Sequence, residues 1–218
     1  MLTDPEEDYA RGQVPFLECT IFLDSRPLIP RTETEFWTEI AIKQIGTRNT
    51  VTCLDLFAGS GAIGVAVLKH CPNARVDFSE IDPRHFPTIR KNIESNGIDT
   101  SRTHIYQTDV FSNISDQYDF ILANPPYISR ERMHDVEQSV REHEPEGALY
   151  ARNDGFELIE KTLIGLTSHL TTSGIAFIEH EPFQIERIKA TAHIHNLSAE
   201  TMKDQYGIDR FTILTHMA

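Results

Sequence analysis

The chain has 218 residues, of which 33 are Asp or Glu and 20 are Lys or Arg, so its formal net charge is −13. This balance argues against a protein that is held on nucleic acid by phosphate contacts, because those contacts need a positive surface. The three cysteines are too few and too scattered for a disulfide framework or a zinc site. Apolar runs stay well below the ~18 residues that span a membrane. We therefore expect a soluble globular protein of the cytoplasm, without a metal or a membrane contact.

The first part of the chain changes character near residue 14. Residues 1–13 are polar and acidic, and we expect them to form a disordered N-terminus, because termini without apolar anchors rarely order. Residues 14–218 are expected to form one domain. Within it, the apolar stretch from Val14 to Asp24 predicts a hairpin or an extended cover. Thr32-Glu-Thr-Glu35 has the spacing of a capping box, which predicts the start of a helix.

Strand and helix patterns alternate from residue 51 onward. The predicted strands cover residues 51–57, 75–79, 103–107, 118–123, 174–180 and 211–214, and the predicted helices cover residues 62–69, 83–96, 155–169 and 182–193. Connections this long favour parallel pairing of neighbouring strands. Helices then cover both faces of the sheet. The pattern predicts an α/β fold with a mostly parallel sheet and a last strand at its edge.

A glycine-rich turn follows the first of these strands. The segment from Asp55 to Gly64 contains Gly59, Gly61 and Gly64 in the spacing G-x-G-x-x-G. Between a strand and a helix, such a turn lets a ligand approach the backbone and presents N–H groups of the helix N-terminus to it. Glu80 ends the next predicted strand, where a carboxylate can accept hydrogen bonds from ribose hydroxyls. A nicotinamide dinucleotide and S-adenosylmethionine both fit these residues, and a tight turn without a ligand is the structural alternative.

Asp55 helps to separate the two cofactors. Its carboxylate suits the cationic end of S-adenosylmethionine, either directly or by bracing the turn, whereas it would repel a pyrophosphate. Asp109 follows the third strand of the series and is placed either to accept from an adenine amino group or to cap a turn.

The most informative segment is Asn124-Pro125-Pro126-Tyr127, which directly follows a strand of apolar residues. The two prolines fix two φ angles, so that the carbonyl groups of Asn124 and Pro125 are held rigidly. The Asn124 side chain adds an acceptor, and Tyr127 offers a flat face. These groups suit a planar –NH2 group, whose two protons are drawn toward fixed oxygens while the nitrogen faces a methyl donor. The segment therefore predicts methyl transfer to an amide or an aromatic amine, the alternative being a rigid loop.

With these motifs, the chain resembles class I methyltransferases, specifically the protein-(glutamine-N5) methyltransferases of peptide chain release factors (the HemK/PrmC family). The resemblance covers residues 14–218. It rests on the segments Arg26-Pro-Leu-Ile-Pro-Arg-Thr-Glu-Thr-Glu35, Leu54-Asp-Leu-Phe-Ala-Gly-Ser-Gly61, Ser79-Glu-Ile-Asp-Pro83, Asn124-Pro-Pro-Tyr-Ile128 and Glu144-Pro-Glu-Gly-Ala-Leu149. The first of these is the specific signal, because DNA and RNA amino-methyltransferases share the glycine turn and the Asn-Pro-Pro-Tyr segment.

The resemblance implies a Rossmann-like, seven-stranded sheet with an antiparallel C-terminal edge strand, and S-adenosylmethionine as the cofactor. The substrate would be the glutamine of the Gly-Gly-Gln motif in a class I release factor, without sequence-specific binding of nucleic acid. Together with Asp55, the residues expected at the cofactor are Phe57, Ala58, Gly59, Ser60, Gly61, Glu80, Asp109, Val110 and Asn124. Asn124, Pro125, Pro126 and Tyr127 would hold the glutamine, and Asn124, Pro125 and Tyr127 would be catalytic. The helical domain with which relatives begin is expected to be absent.

Other functions share parts of this pattern. An amino-methyltransferase acting on adenine or guanine would use the same Asn-Pro-Pro-Tyr geometry, but the net charge of −13 disfavours it. A nucleotide-binding or docking module without turnover is a second alternative, and a dehydrogenase is a third that Asp55 disfavours. Arg31 and Glu33 are expected to line the entrance of the site, with residues 130–144 beside them as an exposed helix or lid.

Overall fold

A computed structural model of the chain describes residues 4–217. Its strands are β1 (Gln13–Phe16), β2 (Cys19–Phe22), β3 (Val51–Leu56), β4 (Ala74–Glu80), β5 (Thr103–Gln107), β6 (Tyr118–Ala123), β7 (Ile128–Ser129), β8 (Tyr150–Ala151), β9 (Leu170–Glu179), β10 (Leu197–Lys203) and β11 (Asp209–His216). Its α-helices are α1 (Pro5–Arg11), α2 (Thr32–Ile45), α3 (Ala62–His70), α4 (Phe86–Ser95), α5 (Gln138–His143), α6 (Glu146–Leu149), α7 (Glu157–His169) and α8 (Ile185–Ile194). Short 3₁₀ helices cover Pro83–His85, Thr100–Arg102, Arg130–Asp135 and Pro182–Gln184.

Seven strands form one sheet in the order β10-β11-β9-β6-β3-β4-β5. The five strands from β9 to β5 pair in parallel, and β10 and β11 are antiparallel. The predicted fold class is thereby confirmed, and β11 is the expected antiparallel C-terminal strand, although it lies between β9 and β10 and not at the edge of the sheet. The outermost strand is β10, which the sequence did not predict. Only its first residue, Leu197, is buried, so it lacks the apolar pattern that marks a buried strand.

The sheet is covered on both faces, and neighbouring residues of one strand belong to different cores. In β3, Cys53 packs into the cluster under α2, α3 and α4, whereas Leu54 and Leu56 pack into the cluster under α7 and α8. In β6, Phe120 and Ile121 divide in the same way. Successive strand side chains point to opposite faces, so a strand buried on both sides reads as an apolar run. This explains why the central strands were predictable from sequence.

The N-terminal segment is ordered, so the expected disorder is wrong for residues 4–13, while residues 1–3 lie outside the described residues. Helix α1 is capped by Asp4, whose Oδ1 accepts a hydrogen bond from the Glu6 N–H group at 3.0 Å. It ends at Gly12, whose φ of 76° is a left-handed conformation that glycine adopts readily. Acidic residues in its first turn favour the helix electrostatically.

Packing explains why this short helix is held in place. The Tyr9 hydroxyl donates to the Pro27 carbonyl at 2.7 Å, and the Arg26 guanidinium lies over the Tyr9 ring at 4.2 Å. Asp8 is buried and pairs with Arg11 at 2.8 Å. The following hairpin of β1 and β2 covers the same core as α2. Among residues 4–217, no helix is long and apolar enough to cross a membrane.

The parallel topology decides where a site can form. β3, β4, β5 and β6 run in the same direction, so the loops after all four strands emerge at one edge of the sheet. Ligands of such sheets bind at the carboxyl ends of the strands, where the loops diverge. The glycine turn, Glu80, Asp109 and Asn124 all follow or end these strands.

Candidate active site

The glycine turn has the predicted strand-turn-helix geometry. Phe57 and Gly61 both have positive φ angles, and Gly61 precedes the first residue of α3. The turn is closed by a hydrogen bond of 2.6 Å from the Gly61 N–H group to the Ala58 carbonyl. A Cβ atom on Gly64 would lie 2.4 Å from Cε1 of Phe78, so this glycine lets α3 pack tightly against β4. Gly61 thus serves the turn, and Gly64 serves the packing of the helix behind it.

Asp55 lies behind the glycine turn. Its side chain is buried, and its Oδ2 accepts a hydrogen bond from the Gly64 N–H group at 2.9 Å. Oδ1 has no hydrogen-bond partner among residues 4–217. Burial raises the pKa of Asp55 to about 8, although the bond from Gly64 opposes this shift. In this structure Asp55 therefore braces the turn, which is one of the two roles considered for it.

Glu80 ties the same turn to β4. Its Oε2 accepts from the Gly59 N–H group and its Oε1 accepts from the Asp82 N–H group, both at 2.8 Å. The side chain is 8% exposed and lines a cavity. Because each carboxylate oxygen has a second lone pair, both oxygens can still accept hydrogen bonds from ribose hydroxyls.

The first cavity, which we call the glycine-loop cavity, has a volume of about 420 Å³. Six residues expected at the cofactor line it, namely Phe57, Gly59, Glu80, Asp109, Val110 and Asn124. The other four, Asp55, Ala58, Ser60 and Gly61, are not part of its wall. Among these, Ser60 is buried and its carbonyl accepts from the Asn92 side chain at 2.8 Å. The wall also contains Leu28 and Ile81, which the sequence did not single out.

The second cavity, which we call the Tyr127 cavity, has a volume of about 240 Å³. Three of the four residues expected to hold the substrate line it, namely Asn124, Pro125 and Tyr127. Pro126 instead lines the glycine-loop cavity. Three residues, Leu28, Asn124 and Ala148, belong to the walls of both cavities. The two cavities therefore meet at these three residues, which include Asn124.

Tyr127 is held by a carboxylate that sequence reasoning did not connect with it. The Tyr127 hydroxyl donates to Oε1 of Glu179 at 2.8 Å. Burial, followed by the charge of Glu179, holds the pKa of Tyr127 well above its ordinary value, so that the hydroxyl remains protonated. Oε2 of Glu179 accepts from Thr34 Oγ1 and from Trp37 Nε1, both at 2.7 Å. The Thr34 hydroxyl in turn lies 3.1 Å from Nδ2 of Asn124.

The start of α2 lines the Tyr127 cavity in a way that only partly follows the sequence pattern. Arg31 and Glu33 line this cavity, as expected. The expected capping box is wrong, because the side chain of Thr32 makes no cap and Oε1 of Glu35 accepts from the Leu17 N–H group of the hairpin at 2.7 Å. Glu35 thus connects α2 to the hairpin instead of closing its own helix turn.

Arg31 also pairs with a buried carboxylate. Its guanidinium donates to Oε1 of Glu144, whose side chain is completely buried. Burial raises the pKa of Glu144, and the charge of Arg31 opposes that shift. The pair joins the start of α2 to the segment after α5. Val136 and Glu137, just before α5, and Val140 within it form one wall of the Tyr127 cavity, so residues 130–144 lie beside the site as expected.

Sequence reasoning missed Thr34, Trp37 and Glu179. Thr34 stands inside the Arg31-Thr-Glu-Thr-Glu35 segment, and its alternation with two glutamates was the available signal. Glu179 ends the apolar strand β9, where an acidic residue at the carboxyl edge marks a candidate site position. In the part of the chain that the structure describes, no cluster of three or more His, Cys, Asp or Glu side chains is arranged for a metal ion.

Known proteins resemble this chain in sequence. The family model of the Methyltransferase small domain matches residues 31–151. The Release factor glutamine methyltransferase of Chlamydia trachomatis serovar D is 32% identical over 211 residues, which cover 96% of this chain and 72% of that protein.

Two solved structures share the fold. The ribosomal protein L11 methylase of Lactobacillus delbrueckii subsp. bulgaricus matches with a TM-score of 0.65 and 16% identity, over 88% of this chain and 82% of that chain. The 16S rRNA N2 G1207 methyltransferase of Thermus thermophilus, solved with AdoMet and guanosine, matches with a TM-score of 0.64 and 14% identity, over 94% of this chain and 50% of that chain.

Proposed function

This chain belongs to the release factor glutamine methyltransferase family, and on that premise we propose that it methylates N5 of a glutamine side chain in a peptide chain release factor. S-adenosylmethionine is the proposed methyl donor, and the glutamine of the Gly-Gly-Gln motif in a class I release factor is the proposed acceptor. Release factors act in the cytoplasm, where we place the reaction. The observation that carries this proposal is the meeting of two cavities at Asn124.

The glycine-loop cavity fits the proposed cofactor. Its volume is typical of sites for small molecules. The Glu80 carboxylate lines it and has free lone pairs for the two ribose hydroxyls, while the backbone at Gly59 allows close approach. When bound, S-adenosylmethionine supplies an electrophilic methyl group on a positively charged sulfur. The buried carboxyl group of Asp55 behind the turn would be more easily ionised beside that charge.

The Tyr127 cavity supplies what a carboxamide acceptor needs. The lone pair of an amide nitrogen is delocalised into the carbonyl group, and the nitrogen is a poor nucleophile. The rigid carbonyl of Asn124 or Pro125 and the side-chain oxygen of Asn124 can accept the two N–H protons. Tyr127 provides a wall for the planar group. These acceptors orient the nitrogen toward the shared wall of the two cavities, and they stabilise the positive charge that develops on it.

The same residues explain why no strong base is required. An amide nitrogen that has gained a methyl group becomes acidic, and its extra proton can leave through the accepting oxygens to water. The Tyr127 hydroxyl is committed to Glu179 as a donor, so it is not available to remove this proton. We therefore assign Asn124, Pro125 and Tyr127 to orientation and charge stabilisation.

Methylation of adenine or guanine in nucleic acid is the alternative that shares this geometry. The charges of the Tyr127 cavity disfavour it, because Glu33, Glu137 and Glu179 face two arginines there. A phosphate backbone would meet this acidic wall and a chain of net charge −13. A release factor side chain carries no such charge into the cavity.

Incubation of the chain with isotopically labelled S-adenosylmethionine, release factor and total RNA, followed by mass spectrometry, tests the proposal. The label is expected on the glutamine of the Gly-Gly-Gln motif, and a partner in which this glutamine is alanine should remain unlabelled. Asn124→Ala should lower kcat by about a hundredfold, as expected when a preorganised polar group is lost. Its affinity for S-adenosylmethionine, measured by calorimetry, should change little. Label in RNA with none in the release factor would contradict the proposal.

A further inference from the structure

Behind Asn124 lies a chain of hydrogen bonds between buried side chains. Nδ2 of Asn124 lies 3.1 Å from Thr34 Oγ1, and Thr34 Oγ1 lies 2.7 Å from Oε2 of Glu179. Thr34 is 3% exposed and Glu179 is 1% exposed. Trp37 and Tyr127 donate to the same carboxylate at 2.7 Å and 2.8 Å. These contacts connect α2, β9 and the loop after β6 at the point where the two cavities meet.

The donors and acceptors in this series of hydrogen bonds fix the direction in which each bond is donated. The indole N–H of Trp37 can only donate, so Oε2 of Glu179 must accept from it. Burial raises the pKa of Glu179, but the hydrogen bonds from Trp37, Thr34 and Tyr127 oppose this shift and stabilise the ionised form. An ionised carboxylate has no proton to give, so the Thr34 hydroxyl must use its single proton on Glu179. The oxygen of Thr34 is then left as an acceptor. Its contact with Asn124 consequently requires the amide nitrogen, and not the amide oxygen, to face Thr34.

This direction matters because an asparagine amide can rotate by half a turn with little change in shape. With Nδ2 turned toward Thr34, Oδ1 remains as the acceptor of a residue that lines both cavities. In the opposite orientation, Oδ1 and the Thr34 oxygen would be two acceptors in contact. The –NH2 group of Asn124 would then meet the –NH2 group of a carboxamide substrate, which needs acceptors.

We propose that Thr34 and Glu179 are positioning residues that fix the amide orientation of Asn124 and so keep its Oδ1 available to the –NH2 group of the acceptor substrate. This inference rests on the proposed function, and it gives the Glu33-Thr34-Glu35 segment three separate tasks. Glu33 lines the Tyr127 cavity, Thr34 orients Asn124, and Glu35 holds the hairpin at Leu17.

The inference is tested with Thr34→Val, which replaces the hydroxyl with a methyl group of similar size. The Asn124 side chain then loses its contact with Thr34 Oγ1, which distinguishes the amide nitrogen from the amide oxygen. We expect kcat for release factor methylation to fall about tenfold, the factor that corresponds to one hydrogen bond of about 1.4 kcal/mol. The affinity for S-adenosylmethionine and the KM for the release factor should stay within about twofold, since Thr34 lines neither cavity.

Two control variants separate orientation from packing. Thr34→Ser keeps the hydroxyl and should restore most of kcat. Thr38→Val removes another fully buried hydroxyl one turn later in α2, whose bond of 2.7 Å goes to the Thr34 backbone carbonyl and not to the Asn124 side chain. This variant should retain the kcat of the wild type. If Thr34→Ser is as slow as Thr34→Val, or if Thr38→Val is equally slow, the positioning role is refuted.

NMR spectroscopy gives a readout that does not depend on activity or on a variant at Thr34. In the wild type, the side-chain –NH2 protons of Asn124, identified by their loss in Asn124→Asp, should show a nuclear Overhauser effect to the Thr34 methyl group. Its absence would overturn the proposal. A wild type that labels no release factor refutes the proposed function instead, whereas a labelled release factor together with a fully active Thr34→Val variant refutes only the positioning role.

Discussion

Gly155 lies against the loop that carries the candidate catalytic residues, and its substitution gives a quantitative test of that loop's rigidity. Gly155 precedes α7 and has a φ of 77°, in the left-handed region. A Cβ atom added to it would lie 1.9 Å from the carbonyl oxygen of Tyr127 and 2.6 Å from the carbonyl carbon. The same carbonyl oxygen accepts from Nε2 of the buried Gln184 at 3.0 Å. In Gly155→Ala the added methyl group therefore meets backbone and not a flexible side chain.

Three contributions set the expected effect of Gly155→Ala on the free energy of unfolding. A left-handed conformation costs alanine about 1–2 kcal/mol relative to glycine. Overpacking against a fixed neighbour costs about 1–3 kcal/mol. Displacement of the Tyr127 carbonyl weakens the bond from Gln184, which contributes about 1 kcal/mol. We expect the variant to lose about 3–6 kcal/mol in total, from these three values.

Gly97→Ala is the matched control. Gly97 has a φ of 70°, and among residues 4–217 nothing lies within 4 Å of the position of an added Cβ atom. This variant should lose only the conformational contribution of about 1–2 kcal/mol. Urea unfolding can be followed by the fluorescence of Trp37, the single tryptophan, which is completely buried. Equal losses of stability in the two variants would refute the reasoning, because they would show that the Tyr127 loop yields to the methyl group.

Three further predictions concern charged groups of the site. The raised pKa of Asp55, about 8, means that the folded chain keeps a proton that the unfolded chain releases, so stability falls as the pH rises from about 4 to about 8. Asp55→Asn should reduce this slope in urea unfolding across that range, and an unchanged slope would contradict the assignment. Glu80→Ala should weaken S-adenosylmethionine binding about tenfold or more in calorimetry, because it removes the proposed ribose acceptor and the bond to Gly59; unaltered affinity would place the cofactor elsewhere. Arg31→Met should lower the free energy of unfolding by about 3 kcal/mol by leaving Glu144 buried and unpaired, and a second change, Glu144→Gln, should recover part of the loss. The absence of recovery would show that the ion pair is not the cause.

Local sequence patterns predicted the parts of the molecule that depend on local geometry. The glycine turn could be predicted because a strand, positive φ angles and a helix follow one another within about a dozen residues. The position of Asn124 could be predicted because two prolines end a buried strand abruptly. The parallel sheet followed from the regular alternation of strands and helices.

What could not be predicted depends on contacts between distant segments. Thr34 and Glu179 are 145 residues apart in sequence, and nothing local to either one indicates that the Thr34 hydroxyl donates to Glu179. Helix α1 is held in place by the hydrogen bond from the Tyr9 hydroxyl to the Pro27 carbonyl, so the acidic composition of this segment wrongly indicated disorder. The backbone role of Glu80 was also hidden, because its bond to Gly59 exists only after β3 and β4 have paired.

The common wall of the two cavities has a consequence for inhibitors. A compound that joins an adenosine-like group to a carboxamide through a short linker would lie on both sides of Asn124 at once. Its second half would bind at a high effective concentration, so its affinity should exceed that of either half by about 10² to 10⁴ without a new contact. Selectivity would come from the carboxamide end, since many enzymes bind adenosine but few combine it with a pocket for a glutamine side chain.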